Sequence, residues 1–408
     1  MKRILMYLVF LAFQVQGQIQ ILEAYVAEGI DRNKDFLSHQ MLHHAFLEKE
    51  MQFSRLSDLQ LSAGFAPSPI ETRLGAQKMQ FSAVQRFPWF GTLDAKLNLF
   101  EAENEVHNKV LQMMGGVLQH KIEKAWYKLY EIRLNKIILK DRIELIEMME
   151  SLTKEHMKTK SNIGMVDLLT IQFQKEEWEN SLLDLLDAEK VQQYAFNTLL
   201  SKEIHTEVIT VDSLVDLMGF DPILNRELYA VNKQKLKVEV AKESMELFKK
   251  TTKPTWTIGF RYFMIDEIAM DIPDNGKDAY MFNIGLNIPF QIKQNKHTLM
   301  EATHKWHTEA INLEHIQDEY NLLLAKVDLE IKKQVRNFHS NSRLKEKIKQ
   351  TTSLLLQEYK HGNNSYNELL KSMGLLLDLE RKEIAAIVQQ HIQLSYYQSL
   401  FELRKNKD

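Results

Sequence analysis

The chain has 408 residues, a formal net charge of −3 from 52 Lys+Arg against 55 Asp+Glu, and 44% hydrophobic residues. This balance gives no basis for nucleic acid as a partner, and the apolar content is that of a folded chain. With 0 cysteines, it has no disulfide, thiolate metal site, cysteine nucleophile or N-terminal lipid anchor. Gly (14) and Pro (7) stand at about half and about a third of average usage, roughly 7% and 5%, so long helices are expected.

At the start, Lys2 and Arg3 precede an apolar run from Ile4 to Phe13, followed by Val15-Gln16-Gly17. This is the pattern of a signal peptide over residues 1–17, with Gln18 as the mature N-terminus. The run is too short to span about 30 Å of hydrocarbon as a helix, and no later segment offers ~18 uninterrupted apolar residues. A transmembrane helix is therefore not expected.

A first β-hairpin is expected over about 58–88. Leu59, Leu61, Ala63 and Phe65 alternate with Gln60, Ser62 and Gly64, and Met79, Phe81 and Ala83 alternate with Gln80 and Ser82. From Thr92 to about Lys158 the apolar residues recur at three- and four-residue steps among Lys and Glu, with Gly115-Gly116 as the one strong stop. Unbroken, that helix would reach on the order of 100 Å. A tight turn at Ser161–Asp167 and a returning helix follow, then a linker over 205–224.

The second part, 225–408, repeats the plan. A hairpin is expected over about 254–290, with Trp256, Ile258, Phe260 and Tyr262 on one face and Thr257, Gly259 and Arg261 on the other. In its second strand Tyr280, Phe282, Ile284, Leu286, Ile288 and Phe290 oppose Met281, Asn283, Gly285 and Asn287, and Met264–Asp278 forms a polar loop. A second proline-free tract, 290–408, carries the helices and turns at Gly362–Glu368.

An internal offset links the halves. Phe87-Pro88-Trp89 and Ile288-Pro289-Phe290 lie 201 residues apart, as do Asp167-Leu168-Leu169 and Glu368-Leu369-Leu370. Asn33-Lys34-Asp35-Phe36 is echoed by Asn225-Arg226-Glu227-Leu228. Each half, 18–204 and 225–408, therefore runs helix, strand, strand, long helix, tight turn, returning helix. The strands fit two readings: ordinary half-buried hairpins, or transmembrane β-structure of ~9–11 residues alternating lipid-facing and lumen-facing side chains. Four strands in lipid would leave unpaired edges, so a membrane reading requires several chains to pool them into one barrel.

The sequence resembles the TolC-like family of outer-membrane efflux proteins over essentially the whole mature chain. The stretch Gln80–Glu105, QFSAVQRFPWFGTLDAKLNLFEAENE, looks like the strand-to-helix junction of its heavy-metal CusC/CzcC-like subfamily. NELLKSMGLLLDLER, after Tyr359-Lys360-His361-Gly362, looks like the tip turn and returning helix. In the first half, Lys158 and Ser161 stand where the family has Tyr and Gly. The resemblance implies a mainly α chain with membrane β-structure: long antiparallel helical hairpins forming a periplasmic α-barrel, and four strands per chain in the twelve-stranded barrel of a homotrimer. The implied partners are outer-membrane lipid, a periplasmic adaptor (membrane fusion) protein and an inner-membrane RND-type pump. The implied role is a passive duct without enzyme activity or cofactor, exporting heavy-metal cations or other small solutes. A periplasmic adaptor or scaffold is the competing class.

The candidate site residues are the tip group Asp167, Glu368, Gly164, Gly362 and Tyr359, and the junction group Phe87, Pro88, Trp89, Pro289 and Phe290. Asp167 and Glu368 fit two roles: complements to a helix dipole, or an acidic ring at the periplasmic aperture. Gly164 and Gly362 allow sharp turns. His39, His43 and His44, and His297, His304, His307 and His315, have spacings that could chelate metal, but they read as dispersed surface histidines, and no metal site is assigned. Met113, Met114, Met148 and Met149 fall in helical packing stripes.

Overall fold

The computed structural model describes residues 21–53, 55–159, 165–211, 213–218, 227–269, 273–290, 292–361 and 366–401. The expected signal peptide, Ser161, Gly164, Asn225 and Gly362 lie outside the described residues. The elements are α1 (21–32), α2 (Lys34–Leu47), α3 (Glu50–Phe53), β1 (Gln60–Thr72), β2 (Gly75–Phe87), α4 (Thr92–Thr159) and α5 (Met165–Leu199). After them come α6 (Tyr229–Thr251), β3 (Thr255–Asp266), β4 (Ala279–Asn287), α7 (Ile292–Lys360) and α8 (Tyr366–Ser399). The long helices α4 and α7 have 68 and 69 residues, and the shorter α5 and α8 have 35 and 34. No helix among the described residues is long and apolar enough to cross a membrane.

The chain folds into two units: Met1–Gln40, Leu111–Tyr229 and Asp318–Asp408 form the first, Met41–Val110 and Ala230–Gln317 the second. The second unit holds one antiparallel sheet in the order β1-β2-β3-β4. Its register aligns the apolar alternation of all four strands. Ala63 lies opposite Phe81, Ala83 opposite Phe260, Ile258 opposite Ile284, and Phe260 opposite Phe282. One face is thus apolar, and its large side chains, including Leu61, Phe81, Ile258, Phe282 and Ile284, are exposed. The other face carries Ser62, Ser82, Thr257, Arg261 and Asn283. Ser62 and Ser82 share a hydroxyl–hydroxyl hydrogen bond of 2.7 Å. Small residues fit this face: a Cβ at Gly259 would meet the Asn283 amide, and one at Gly285 the Thr257 hydroxyl.

The strands differ in length from their sequence pattern. β1 runs past Pro67 and Pro69 to Thr72, because its register shifts between Phe65 and Ile70, where prolines cost no ladder bond. β3 takes in Met264–Asp266, which alternation assigned to the polar loop, because Met79, Gln77 and Ala76 of β2 pair with them. β4 stops at Asn287, short of Ile288 and Phe290; Pro289, without an N–H, ends the alternation there. At Gly75 φ is +137°, and any Cβ would strike the Asp266 carbonyl.

The first unit is built of helices. Asn33 caps α2 by accepting the Phe36 N–H at 3.0 Å, while its amide donates to the Leu199 carbonyl at 2.8 Å. α4 runs through Gly115-Gly116 without a break, as one helix from Thr92 to Thr159. Gly116 lies where a Cβ would come within 3.0 Å of the Ser399 carbonyl, so the glycine serves close packing with α8. Helices α5 and α4 are joined by Lys175–Glu147 (3.0 Å) and Arg133–Glu189 (2.8 Å), α4 and α8 by Arg142–Glu380 (2.7 Å), and α8 and α7 by Lys345–Glu383 (2.5 Å). The lateral order is α5-α4-α8-α7. Residues 205–211 and 213–218 strap this layer. Thr206, Val208 and Ile209 carbonyls accept from Asn197 (2.8 Å), Arg133 (2.6 Å) and Trp126 (2.9 Å). Further along, the Val215 carbonyl accepts from His391 at 2.8 Å, and Leu217 N–H donates to Gln390 at 3.1 Å.

Candidate functional site

The ends of α4 and α7 and the starts of α5 and α8 meet around one apolar cluster that includes Ile146, Met149, Ile171, Tyr359, Leu369 and Met373. Leu168 and Leu369 are both buried, and each directly follows a carboxylate in the first turn of its helix, Asp167 in α5 and Glu368 in α8. The leucines fix the helix starts, and the carboxylates complement the positive ends of the dipoles. The two acids nonetheless differ. Asp167 is half-buried and accepts a hydrogen bond from the Tyr366 hydroxyl, which pushes the Tyr366 phenol above its ordinary pKa. Glu368 is exposed.

Tyr359 is buried at the end of α7, where burial raises its pKa. The Thr153 hydroxyl donates to the Met149 carbonyl at 2.6 Å, so the Tyr359 hydroxyl donates to Thr153. His156 meets the Tyr359 ring edge-on at 5.9 Å. These contacts tie α7 to α4, and Tyr366–Asp167 ties α8 to α5. A polar belt flanks them: Glu150 takes hydrogen bonds from Gln172 (2.8 Å) and Lys154 (2.6 Å), which hold its carboxyl below the usual range.

Sequence reading picked out Asp167, Glu368 and Tyr359, and the structure gathers Asp167 and Tyr359 with Tyr366 at one end of the helical layer. It missed Tyr366, Thr153 and His156, because a hydrogen-bond partner depends on which helix lies alongside. The signal available was a tyrosine one residue before Asn367-Glu368, at the foot of a helix.

The junctions are unequal. Phe87 closes β2 opposite Trp256, and Trp89 stacks on Trp256 with ring centres 6.1 Å apart and planes at 14°. Gly91, at φ +74°, turns the chain so that α4 starts at Thr92. Pro289 and Phe290 lie between β4 and α7 and are exposed. No group of three or more metal-ligating side chains occurs among the described residues. His39 lies 4.0 Å from Asp35. His107 packs on Phe46 at 4.1 Å and is held below its ordinary pKa by burial and by His43. Met149 is fully buried and Met114 packs on a second core.

Neither any protein-family model nor any curated protein sequence matches the chain. Solved structures do. The outer-membrane channel OprN superposes with a TM-score of 0.77 at 15% identity, covering 94% of this chain and 90% of its own. The outer-membrane protein VceC of Vibrio cholerae gives 0.76 at 13% identity, covering 94% and 97%. CusC, described for transmembrane channel formation, gives 0.78 at 11% identity, covering 94% and 92%. The chain has the fold of TolC-family outer-membrane channels.

Proposed function

We propose that this chain is the outer-membrane duct of a tripartite efflux assembly. The observation that carries the reading is the four-stranded sheet, apolar and exposed on one face, polar on the other and, among the described residues, unpaired at the β1 and β4 edges. In water such a sheet would aggregate; in lipid it requires closure with strands from other copies. Three copies pooling four strands each make a twelve-stranded barrel. Ser62, Thr257, Arg261, Asn283 and Asn287 face its wet lumen. The aromatic residues near the strand ends, Phe87, Trp89, Tyr280 and Phe290, sit at the membrane interfaces.

The two repeats, 18–204 and 225–408, are joined by the equatorial segment 205–224, and the signal peptide directs export. The duct is passive and catalyses no reaction. Its helical end docks on a periplasmic adaptor (membrane fusion) protein fed by an inner-membrane RND-type pump. Asp167 and Glu368, repeated by trimer symmetry, form an acidic constriction that favours cations. Tyr366–Asp167 and Tyr359–Thr153 hold the helix ends together until docking separates them. Heavy-metal cations are the proposed cargo, supported by the likeness around Phe87–Leu93 and by this acidic end.

The test is a susceptibility panel on a strain lacking the chain, with a complemented control. Selective sensitivity to copper, silver, zinc or cobalt salts is expected. Sensitivity to dyes, detergents and antibiotics alone would overturn the metal cargo and leave a duct for organic molecules.

A further inference from the structure

We propose that the end of the sheet nearest the helices carries a basic rim that binds anionic phospholipid headgroups of the periplasmic leaflet, with Lys250, Lys253, Lys293 and Lys296 meeting the phosphates. The inference deepens the duct reading and rests on its membrane barrel.

β3 has 12 residues. At ~3.4 Å per residue and a tilt of about 40°, it rises on the order of 30 Å, the thickness of a hydrocarbon core. The two ends of the sheet therefore lie at the two headgroup levels, and they carry opposite charge. At the helix end, Lys249, Lys250 and Lys253 lead into β3, Lys293 and Lys296 follow β4, and Arg55 precedes β1. The acids at that level are fewer. Glu50 and Asp58 lie ahead of β1, Asp94 is offset by Lys96 in α4, and Glu246 pairs with Lys249 at 2.6 Å. Arg55, Lys250, Lys253, Lys293 and Lys296 are exposed and make no ion pair among the described residues. At the far end the cations are largely neutralised. Lys78 pairs with Asp266, Lys277 pairs with Asp274 at 3.3 Å, and Glu71, Glu267 and Asp278 outnumber Arg73.

Helix dipoles explain only part of the rim. Lys249 and Lys250 stand in the last turn of α6, where cations complement the negative helix end. Lys293 and Lys296 stand at the opposite kind of end. They open α7, whose first turn holds no acid, so they face the positive end of its dipole. In water that placement is unfavourable. Beside a phosphate, the ammonium groups and the helix end are satisfied together.

Apolar side chains border the same cations. Phe90 is 74% exposed, Ile288 51% and Phe290 84%. A Cβ on Gly91 would lie 3.5 Å from Lys250 Nζ, so this ammonium lies over the turn that presents Phe90. Lysine stems can run along acyl chains while their ammonium groups reach the headgroups. A soluble acidic partner would satisfy the lysines and leave the exposed apolar band of the sheet uncovered. An anionic lipid leaflet satisfies both, and so it is the occupant.

Trp89 and Trp256, stacked at this level, report the lipid beside them. The full-length chain is refolded into phosphatidylcholine vesicles that contain acyl-brominated phosphatidylglycerol or, separately, acyl-brominated phosphatidylcholine. Tryptophan quenching is then compared at low and high salt. The anionic lipid is expected to bind several-fold more tightly than the neutral one at low salt, and the preference should vanish at high salt. It should also vanish in Lys250→Gln/Lys253→Gln/Lys293→Gln/Lys296→Gln. The same four positions changed to Arg should keep it, as should Arg73→Gln at the far end. Equal quenching by the two lipids in the parent chain, or a preference that the Gln variant retains, would overturn the rim. The heat-dependent gel shift of a closed barrel, read in the same vesicles, would then leave the duct standing. A parent chain that shows no such shift and washes off the vesicles would overturn the barrel and the rim together.

Discussion

Ile284→Lys separates a membrane sheet from a water-facing one. Ile284 lies opposite Ile258 on the apolar face, flanked by Phe282 and Leu286, and is 75% exposed in the single chain. If that face meets water, the substitution is a surface change worth within about 0.5 kcal/mol. If it meets lipid near mid-strand, an ammonium costs ~2–4 kcal/mol per chain, and about three times that in a trimeric barrel. The control is Ser62→Lys on the polar face, which loses one exposed hydroxyl–hydroxyl bond and costs roughly 1 kcal/mol or less. The assay is urea unfolding of the protein refolded into lipid vesicles, read by the heat-dependent gel shift of a closed barrel. A midpoint markedly lower for Ile284→Lys than for Ser62→Lys is expected. Equal midpoints would refute the assignment of the faces.

At the tip, Tyr366→Phe frees Asp167, and conductance in planar bilayers should rise. A charge-reversing Glu368→Lys or an apolar Asp167→Leu should change conductance or cation preference, and no change in either would leave both acids as helix-end complements. Burial and the nearby Lys124 hold His120, which lies 2.9 Å from the Ser395 hydroxyl, down to about 4 from an ordinary 6.5. The unfolded chain thus takes up this proton at higher pH than the folded chain. The stability associated with neutral His120 is complete above its unfolded pKa of 6.5 and is lost as pH falls towards about 4. In thermal unfolding across that window, His120→Gln should lose less stability than the parent chain; parallel profiles would show that His120 is not the group responsible.

Much of this architecture was legible because its periodicities are strong. Alternation assigned both hairpins and sorted Ile258 from Gly259 and Phe282 from Asn283, since a period of two depends on the strand alone. Proline-free tracts marked α4 and α7. What stayed hidden depends on neighbours. The pairing of β2 with β3 joins segments far apart in sequence, and it extends β3 to Asp266. Gly115-Gly116 reads as a stop until Ser399 of α8 is seen beside it. At the site, position within the first helical turn identified Asp167 and Glu368, but only the packed helices show that Tyr366 engages Asp167 while Glu368 stays open. The strap through Val208 and Val215 has no periodicity and is held by carbonyls, which the sequence does not distinguish.

The central claim, that the sheet is a membrane barrel, is tested most directly by where the chain resides in cells. After lysis, the washed outer-membrane fraction and the soluble fraction are compared for the full-length protein. The account expects the chain to remain with the outer membrane through a high-salt and carbonate wash and to leave it only in detergent. Recovery of the chain in the soluble periplasmic fraction would contradict the account and favour a helical scaffold.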